Sequence, residues 1–215
     1  ESLRVRLGMD KKAAMARSAE LLSFVRIPDP QAMLKKFPYQ LSGGMRQRVM
    51  IAIAISCNPK LLFADEPTTA LDVTVQAQIL QLLSDLRRDL KMSMVLITHD
   101  LGVVANHTDY VAVMYAGEVV EQAPTAQLFA NMKMPYTKAL LDSIPNIEMK
   151  SGARLKVIEG RLPNPVDRPK GCGFVTRCSY AQQKCHDEHP PLLDAGNGHA
   201  YRCWYPLGHT IGRKP

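Results

Sequence analysis

The central part of the chain alternates between short apolar runs and a longer amphipathic segment. The runs 61–64 and 94–97 are continuous and apolar, as expected of strands that are buried on both faces. Between them, residues 73–90 carry apolar side chains at helical intervals. These side chains are Val75, Ile79, Leu82, Leu83 and Leu86. A strand, a helix and a second strand in this order predict an α/β fold built on a mostly parallel sheet.

Similar patterns flank this unit on both sides. Residues 1–26 place apolar side chains at helical spacing, and an apolar helical run covers 45–56. Downstream, a strand at 110–115 turns at Gly117 into a second strand at 118–122. This hairpin predicts an antiparallel edge on the otherwise parallel sheet.

Two carboxylates stand directly after the first strand. Side chains alternate along a strand, so Asp65 and Glu66 leave its end in different directions. In open α/β sheets, the carboxyl ends of the strands are where ligands bind. An isolated Asp-Glu pair also has a plainer explanation, because the helix dipole favours negative charge where the next helix begins. The pair by itself leaves both interpretations open.

A Ser-Gly-Gly segment precedes the apolar helix at 45–56. Ser42 can cap that helix, and Gly43 and Gly44 let the main chain come close to an anion. Such a segment suits a phosphate group, although Ser-Gly-Gly is also common in ordinary loops.

Three motifs in combination resemble the ATP-binding-cassette (ABC) ATPases. They are LSGGMRQR at 41–48, ADEPTTALD at 64–72 and ITHD at 97–100. In that family, these positions hold the signature, the Walker B strand with the D-loop, and the switch histidine. The resemblance implies a partial P-loop NTPase cassette, in which a helical subdomain accompanies a mostly parallel sheet. It also implies ATP and Mg²⁺ as ligands.

The same resemblance implies a role for each motif residue. Glu66 is expected to polarise the water that attacks the γ-phosphate, and His99 to hydrogen-bond that phosphate. Asp65 is expected to hold Mg²⁺. The residues implied to contact nucleotide or the opposite subunit are Ser42, Gly43, Gly44, Gln47 and Asp72. Plainer roles stay open, because a histidine after a strand is often structural and Asp72 can cap the helix at 73–90.

Two motifs of that family are missing from the chain. No G-x-x-x-x-G-K-[ST] loop, which would wrap the β- and γ-phosphates, occurs anywhere, and the glutamine loop is absent too. We expect a complete cassette to need roughly another 100 residues upstream. The chain is interpreted as the C-terminal portion of a longer ATPase that would not bind ATP normally by itself. The alternative is a non-hydrolytic, metal-carrying binding module.

The tail contains four of the five cysteines, separated by five, six and seventeen residues. They are Cys172, Cys178, Cys185 and Cys203. In a reducing cytosol, such a group suggests a metal site before it suggests disulfides. The spacing alone leaves an iron–sulfur centre, zinc and plain reduced cysteines open.

The tail also resembles the small Cys-rich C-terminal extension of peptide-importer ATPases, some of which carry a four-iron four-sulfur (4Fe-4S) cluster. This resemblance implies that all four cysteines ligate such a cluster, with zinc as the alternative metal. Arg177, Lys184 and Arg202 would suit its negative charge, or would form a solvated basic surface. Three histidines are expected at the surface rather than as ligands: His186, His189 and His199.

Composition and charge narrow the classes of partner. Hydrophobic residues make up 46% of the chain and aromatic residues 6%, and no apolar run approaches the roughly 18 residues needed to cross a bilayer. The net charge is +7 at pH 7, with most of the excess in 151–215. A basic balance suits nucleic acid, anionic lipid or a negatively charged cofactor. No aromatic-and-basic stripe favours nucleic acid, and we expect no nucleic-acid partner.

The motifs divide the chain into three predicted segments. They are a helical subdomain with the signature at 1–58, the C-terminal part of the ATPase core at 59–149 and the Cys-rich extension at 150–215. By resemblance, the protein is the ATP-hydrolysing subunit of a dipeptide or oligopeptide importer. Two such subunits, alike or related, would sandwich two ATP molecules and act on transmembrane permease subunits, with a peptide-binding protein involved indirectly. This function implies a peripheral location at the cytoplasmic face of the membrane.

Overall fold

The computed structural model describes residues 1–144, 157–164 and 166–208. The chain forms two compact units, Glu1–His99 and Asp100–Pro215. Each unit has its own hydrophobic core. The break between the units follows neither of the two predicted segment boundaries, and the three-segment division stays a prediction. Parts of the predicted Cys-rich segment lie outside the described residues.

Helices make up most of the first unit. Its elements are α1 (Ser2–Leu7), α2 (Lys11–Phe24), α3 (Pro30–Met33), a 3₁₀ turn (Pro38–Gln40), α4 (Gly43–Ile55), β1 (Leu61–Asp65), α5 (Val73–Asp89) and β2 (Ser93–Ile97). The helices predicted at 45–56 and 73–90 are confirmed as α4 and α5. Helix α5 fills the core with side chains that are at most 2% exposed: Ile79, Leu82, Leu83 and Leu86.

The helical pattern at 1–26 is divided between two helices. Gly8 ends α1 in a left-handed conformation, with φ 65°, and its N–H bonds to the carbonyl of Leu3. Asp10 then caps α2, because its side chain accepts a hydrogen bond from the N–H of Ala13. Gly8 thus ends one helix and Asp10 begins the next, although the helical spacing of apolar residues continues through both.

Strands β1 and β2 pair in parallel in an unbroken register, with Asp65 opposite Ile97. Leu62 and Ala64 face the core. Phe63, on the other face, is 65% exposed. The exposed large apolar residues of this face are Leu61, Phe63, Val95 and Ile97. The prediction of strands buried on both faces is therefore wrong here, because the residues that the structure describes leave that face open.

The second unit mixes short helices with an antiparallel sheet. Its elements are α6 (Leu101–His107), β3 (Tyr110–Tyr115), β4 (Glu118–Pro124), α7 (Thr125–Ala130), α8 (Pro135–Asp142), a 3₁₀ turn (Val175–Arg177), α9 (Gln183–Asp187), β5 (Leu193–Asp194) and β6 (Ala200–Tyr201). None of the helices in the described part of the chain is long and apolar enough to cross a bilayer.

The sheet of the second unit has the strand order β3-β4-β6-β5. A tight turn with Ala116 at φ 50° and Gly117 at φ 82° joins β3 to β4. The tail strand β6 occupies the other edge of β4, with Glu121 opposite Tyr201. The predicted mostly parallel sheet is therefore wrong. Among the described strands only β1 and β2 are parallel, because β3 pairs with its hairpin partner and the tail fills the next edge.

A fully buried pair, Glu121 and His199, connects the tail to β4. Both side chains are 0% exposed, and Nε2 of His199 lies 2.8 Å from Oε1 of Glu121. The same carboxylate accepts hydrogen bonds from the backbone N–H groups of Lys133 and Met134. The expected surface location of His199 is therefore wrong, because a buried carboxylate requires such partners. The other two histidines of that group are exposed as expected: His186 and His189.

Candidate functional site

Glu66 and His99 meet where the two parallel strands end. Oε1 of Glu66 lies 2.8 Å from Nδ1 of His99, although 33 residues separate them in the chain. Glu66 directly follows β1, His99 lies two residues beyond the end of β2, and the backbone N–H of Glu66 bonds to the carbonyl of Ile97. The strand pairing thus brings the two predicted catalytic side chains into hydrogen-bonding distance.

Thr69 is a further partner of Glu66 that the sequence motifs did not single out. Its hydroxyl donates a hydrogen bond of 2.9 Å to Oε2 of Glu66. The hydrogen bonds from His99 and then from Thr69 lower the pKa of Glu66 below its usual value, so the carboxylate is ionised at neutral pH. The backbone at Glu66 has φ 46°, a conformation that is uncommon for a residue with a side chain. This turn is what allows a hydroxyl three residues later to reach back to the carboxylate.

The Glu66–His99 pair is open to solvent. The side chain of His99 is 85% exposed and that of Glu66 is 38% exposed. Asp65 ends β1 on the exposed face of the strand, as the alternation predicts. An ionised carboxylate beside an imidazole can orient a water molecule, and a second carboxylate nearby suits a hard cation such as Mg²⁺.

The Ser-Gly-Gly segment forms the beginning of α4. Oγ of Ser42 accepts a hydrogen bond from the N–H of Met45 at 3.3 Å, which confirms the predicted cap. Gly43 and Gly44 are the first residues of the helix. The N-terminal N–H groups and the helix dipole make this end suited to an anion.

A cleft of about 360 Å³ lies beside this helix start and the loop that follows Glu66. Both segments line it: Ser42, Gly43 and Gly44 on one side, and Ala70, Leu71 and Asp72 on the other. Asp72 caps α5, since its side chain accepts a hydrogen bond from the N–H of Val75 at 2.9 Å. Gln47 is half-buried on α4 and does not line the cleft.

The predicted site residues therefore fall into two groups within the first unit. The first group holds the carboxylates and the histidine at the ends of β1 and β2. The second holds the signature residues and Asp72 around the cleft, and neither Glu66 nor His99 lines that cleft. Their roles in binding and catalysis stay predictions.

All four tail cysteines line one small pocket in the second unit, together with Tyr180 and Trp204. The backbone N–H of Cys172 donates to the carbonyl of Cys185 at 2.8 Å. Gly171 permits this approach, because a Cβ at this position would lie 2.1 Å from that same carbonyl oxygen. The fold thus brings together side chains that are up to 31 positions apart in sequence.

Three of these thiols, those of Cys172, Cys178 and Cys203, have raised pKa values. Burial raises the pKa of Cys172 and Cys178, and it raises the pKa of Cys203 to about 12. Neighbouring cysteines raise these pKa values further. In residues 1–144, 157–164 and 166–208, no group of three or more Cys, His, Asp or Glu side chains is spaced to hold a metal ion. The cysteines share a pocket, and their role as metal ligands stays a prediction.

The three basic residues that were expected near the cysteines make contacts within the protein. Arg177 donates to the carbonyls of Ile158 and Glu159 and to the hydroxyl of Tyr115. Arg202 donates to the carbonyl of Val119 in β4. The ammonium of Lys184 lies 3.7 Å from the centre of the Trp204 ring. The two arginines are therefore structural links, which neither the cluster interpretation nor the solvated-surface interpretation anticipated.

Two family models match separate parts of the chain. Residues 2–69 match the model described as "ABC transporter". Residues 120–185 match the model described as "Oligopeptide/dipeptide transporter, C-terminal region". The first match includes the signature, Asp65 and Glu66. The second includes Cys172, Cys178 and Cys185.

Several transport ATP-binding proteins are similar over most of this chain. It is 52% identical to the oligopeptide transport ATP-binding protein AppD of Bacillus subtilis, over 91% of this chain and 60% of that protein. It is 48% identical to the dipeptide transport ATP-binding proteins DppD of Haemophilus influenzae and of Escherichia coli, over 96% of this chain and 62% and 63% of those proteins. The chain thus spans about three fifths of the length of the curated relatives it matches.

A solved structure also resembles the chain. This is the dimeric ATP-binding cassette MJ0796 bound to ADP and Pi, with 32% sequence identity and a TM-score of 0.48, over 54% of this chain and 49% of that chain. These relatives are named transport ATP-binding proteins, and both family models are described as transporters. None of these findings favours a non-hydrolytic, metal-carrying module.

Proposed function

We propose, on the premise that this chain belongs to the ATP-binding proteins of oligopeptide and dipeptide ABC transporters, that the complete protein is the ATP-hydrolysing subunit of a peptide importer. The observation that carries the proposal is the Glu66–His99 pair at the ends of two parallel strands. The named relatives transport oligopeptides or dipeptides, which supports peptide import as the process that ATP hydrolysis drives.

Glu66 and His99 act on the same water and phosphate in this proposal. Glu66 is ionised, and its carboxylate orients a water for in-line attack on the γ-phosphate. His99 hydrogen-bonds the phosphate, and its exposed ring is accessible to a bound nucleotide. Asp65 holds Mg²⁺, whose charge neutralises the phosphate oxygens. Thr69 keeps the Glu66 carboxylate in place through the hydrogen bond to Oε2.

The signature of one subunit contacts the nucleotide that is bound to the other subunit. This part of the proposal rests on the separation of the two groups, because Glu66 and His99 do not line the cleft between the signature and Asp72. A helix N-terminus capped by Ser42 presents N–H groups to an anion. When two subunits close on ATP, the signature contacts the γ-phosphate side of the partner's nucleotide through Ser42, Gly43, Gly44 and Gln47. Asp72 communicates with the opposite subunit across the interface.

The open face of the β1–β2 sheet supports a larger complete protein. Parallel sheets are ordinarily covered on both faces, yet Phe63 is 65% exposed here and three apolar neighbours are exposed beside it. We propose that a segment outside this chain covers that face and supplies the phosphate-binding loop. The relatives are longer than the chain by enough to provide such a segment.

The partners and the location follow from this function. A second ATPase subunit, alike or related, completes the two nucleotide sites. Transmembrane permease subunits receive the closure motion, and a separate peptide-binding protein delivers the peptide to them. The subunit is then peripheral at the cytoplasmic face of the membrane.

The four tail cysteines are proposed as ligands of a 4Fe-4S cluster, with zinc as the alternative. Thiolates are the soft ligands that either centre prefers, and all four cysteines line one pocket, although in the described residues their spacing does not match a formed metal site. Such a cluster would connect α9, the 3₁₀ turn at Val175–Arg177 and the chain after β6. The thiols must lose their protons to bind, so metal loading weakens as the pH falls.

A charged residue at the helix start tests the trans role of the signature. In the complete protein, Ser42→Arg is expected to prevent ATP-driven closure of the dimer, because the bulky cation removes the cap and occupies the anion site. Nucleotide binding to the same subunit should be retained. Light scattering with and without ATP measures closure, and a fluorescent nucleotide measures binding.

Ser84→Arg is the matched control for this change. Ser84 lies on α5, does not line the cleft, and bonds its hydroxyl to the carbonyl of Leu80. The Ser84→Arg dimer should still close when ATP is added. Loss of nucleotide affinity in the Ser42→Arg subunit itself would contradict the trans geometry.

A further inference from the structure

Gly44 lies unusually close to the helix that follows the D-loop. A Cβ at this position would be 2.7 Å from Cγ1 of Val75, a distance that real Cβ contacts do not reach. At the neighbouring Gly43, a Cβ would meet only Cδ2 of Leu71, at 3.4 Å. Of these two adjacent glycines, only Gly44 lies so close to a neighbouring side chain that an added Cβ would collide with it.

Val75 has little freedom to move away from Gly44. Its backbone N–H is bonded to Oδ1 of Asp72 at 2.9 Å, and a β-branched side chain in a helix has one strongly preferred rotamer. One turn further along both helices, Arg48 reaches Oε1 of Gln78 at 3.4 Å. The start of α4 and the start of α5 thus meet along one pair of helix faces.

A third helix reinforces this arrangement. The guanidinium of Arg48 also donates a hydrogen bond of 2.9 Å to the carbonyl of Val25, which ends α2. Burial lowers the pKa of Arg48, and Arg26 nearby lowers it further, yet an arginine remains charged at neutral pH. The signature helix is consequently fixed from two sides, at Gly44 by Val75 and at Arg48 by two helices.

We propose that Val75 is a positioning residue that sets the distance between the signature and the D-loop. Gly44 is then required for close packing against Val75, in addition to any contact with phosphate. The contact fixes the width of the cleft that both segments line. The catalytic consequence rests on the proposed function, because the signature must reach nucleotide held by the partner. The packing consequence does not depend on it.

The packing is tested by a double-mutant cycle on the complete protein. Gly44→Ala should lower the melting temperature by about 3 to 10 °C, because the added methyl forces α4 and α5 apart. When Val75 is also replaced by Ala, Gly44→Ala should lower the melting temperature by almost nothing, since the smaller side chain leaves room for the added methyl group. Gly43→Ala is the matched control, because it makes the same exchange in the first turn of the same helix. It should change the melting temperature little with either Val or Ala at position 75.

Two outcomes overturn the packing part. One is an equal effect of Gly43→Ala and Gly44→Ala. The other is a Gly44→Ala loss that is the same with Val75 and with Ala at position 75. The cycle remains informative if Gly44→Ala alone fails to fold, because the double variant then has to recover folding for the proposal to stand.

The positioning role is tested by kinetics at a temperature well below melting. Val75→Ile adds a methylene at the contact and should lower kcat for ATP hydrolysis by about tenfold or more, with nucleotide affinity of the same subunit unchanged. Val75→Thr, which keeps the shape, should retain kcat. Val73→Ile is the matched control, because the side chain of Val73 is 83% exposed.

Together, the kinetic and packing results distinguish failure of the positioning role of Val75 from failure of the proposed function. Coupling in the cycle with an unchanged kcat for Val75→Ile would refute the positioning role and leave the packing contact intact. No ATP hydrolysis by the complete unaltered protein would instead refute the proposed function. A fall in kcat that Val75→Thr shares would also overturn the proposal, since that variant preserves the contact.

Discussion

Glu66→Gln in the complete protein is expected to lower the rate of ATP turnover by about a thousandfold. The amide keeps the size of the side chain and can still accept from Thr69, but it has no negative charge to polarise the attacking water. In the structure that charge is maintained, because hydrogen bonds from His99 and Thr69 lower the pKa of Glu66. Release of inorganic phosphate measures the loss.

The same variant should still close on ATP, because closure depends on binding and not on hydrolysis. Light scattering is expected to record an ATP-dependent dimer that persists far longer than that of the unaltered protein. Glu20→Gln is the matched control, since Glu20 is exposed on α2 and pairs only with Arg17 among its described ion pairs. Hydrolysis by Glu66→Gln at the unaltered rate would remove Glu66 from the proposed role.

Cys178→Ser is expected to remove the bound metal from the tail. A serine hydroxyl is a poor ligand for iron or zinc compared with a thiolate, so one of the four ligands is lost. Iron and acid-labile sulfide should fall to background, and the broad absorbance near roughly 400 nm expected of an iron–sulfur centre should disappear. Hydrogen exchange across residues 170–205 should become faster, because the metal no longer links the loops.

Cys57→Ser is the control for this change, because Cys57 lies in the first unit and does not line the cysteine pocket. Its iron content should equal that of the unaltered protein. Zinc in the unaltered protein, without iron or colour, would select the alternative metal at the same ligands. Unchanged metal content in Cys178→Ser would refute the site altogether.

Local signals in the sequence predicted several features that the structure confirms. The apolar period over 73–90 predicts α5, whose Ile79 and Leu83 are buried. Ser42 and Asp72 are both recognisable as helix caps, and each accepts a hydrogen bond from an N–H three residues later. The meeting of Glu66 and His99 follows from two strand patterns, since parallel neighbours bring their carboxyl ends to the same edge.

Features that depend on distant pairing were not predictable in the same way. His199 and Glu121 are 78 residues apart, and no local pattern indicates that a tail histidine is buried against a β4 carboxylate. The hairpin of β3 and β4 was predicted, but its extension by the tail strands was not, because β6 pairs with β4 across a long connection. The 2.7 Å approach that a Cβ at Gly44 would make to Val75 depends on how two helices pack, whereas the sequence alone predicted only a close approach of the main chain to an anion there.

The most direct test of the account places Ser42→Arg and Glu66→Gln either in one subunit or in opposite subunits of the complete dimer, using the matching positions of the partner. If the signature serves the opposite subunit, opposite placement leaves one nucleotide site with both groups unaltered, and same-subunit placement leaves none. We therefore predict clear phosphate release for opposite placement and almost none for same-subunit placement. The reverse result would contradict the account, because Ser42 and Glu66 of one chain would then act on the same nucleotide.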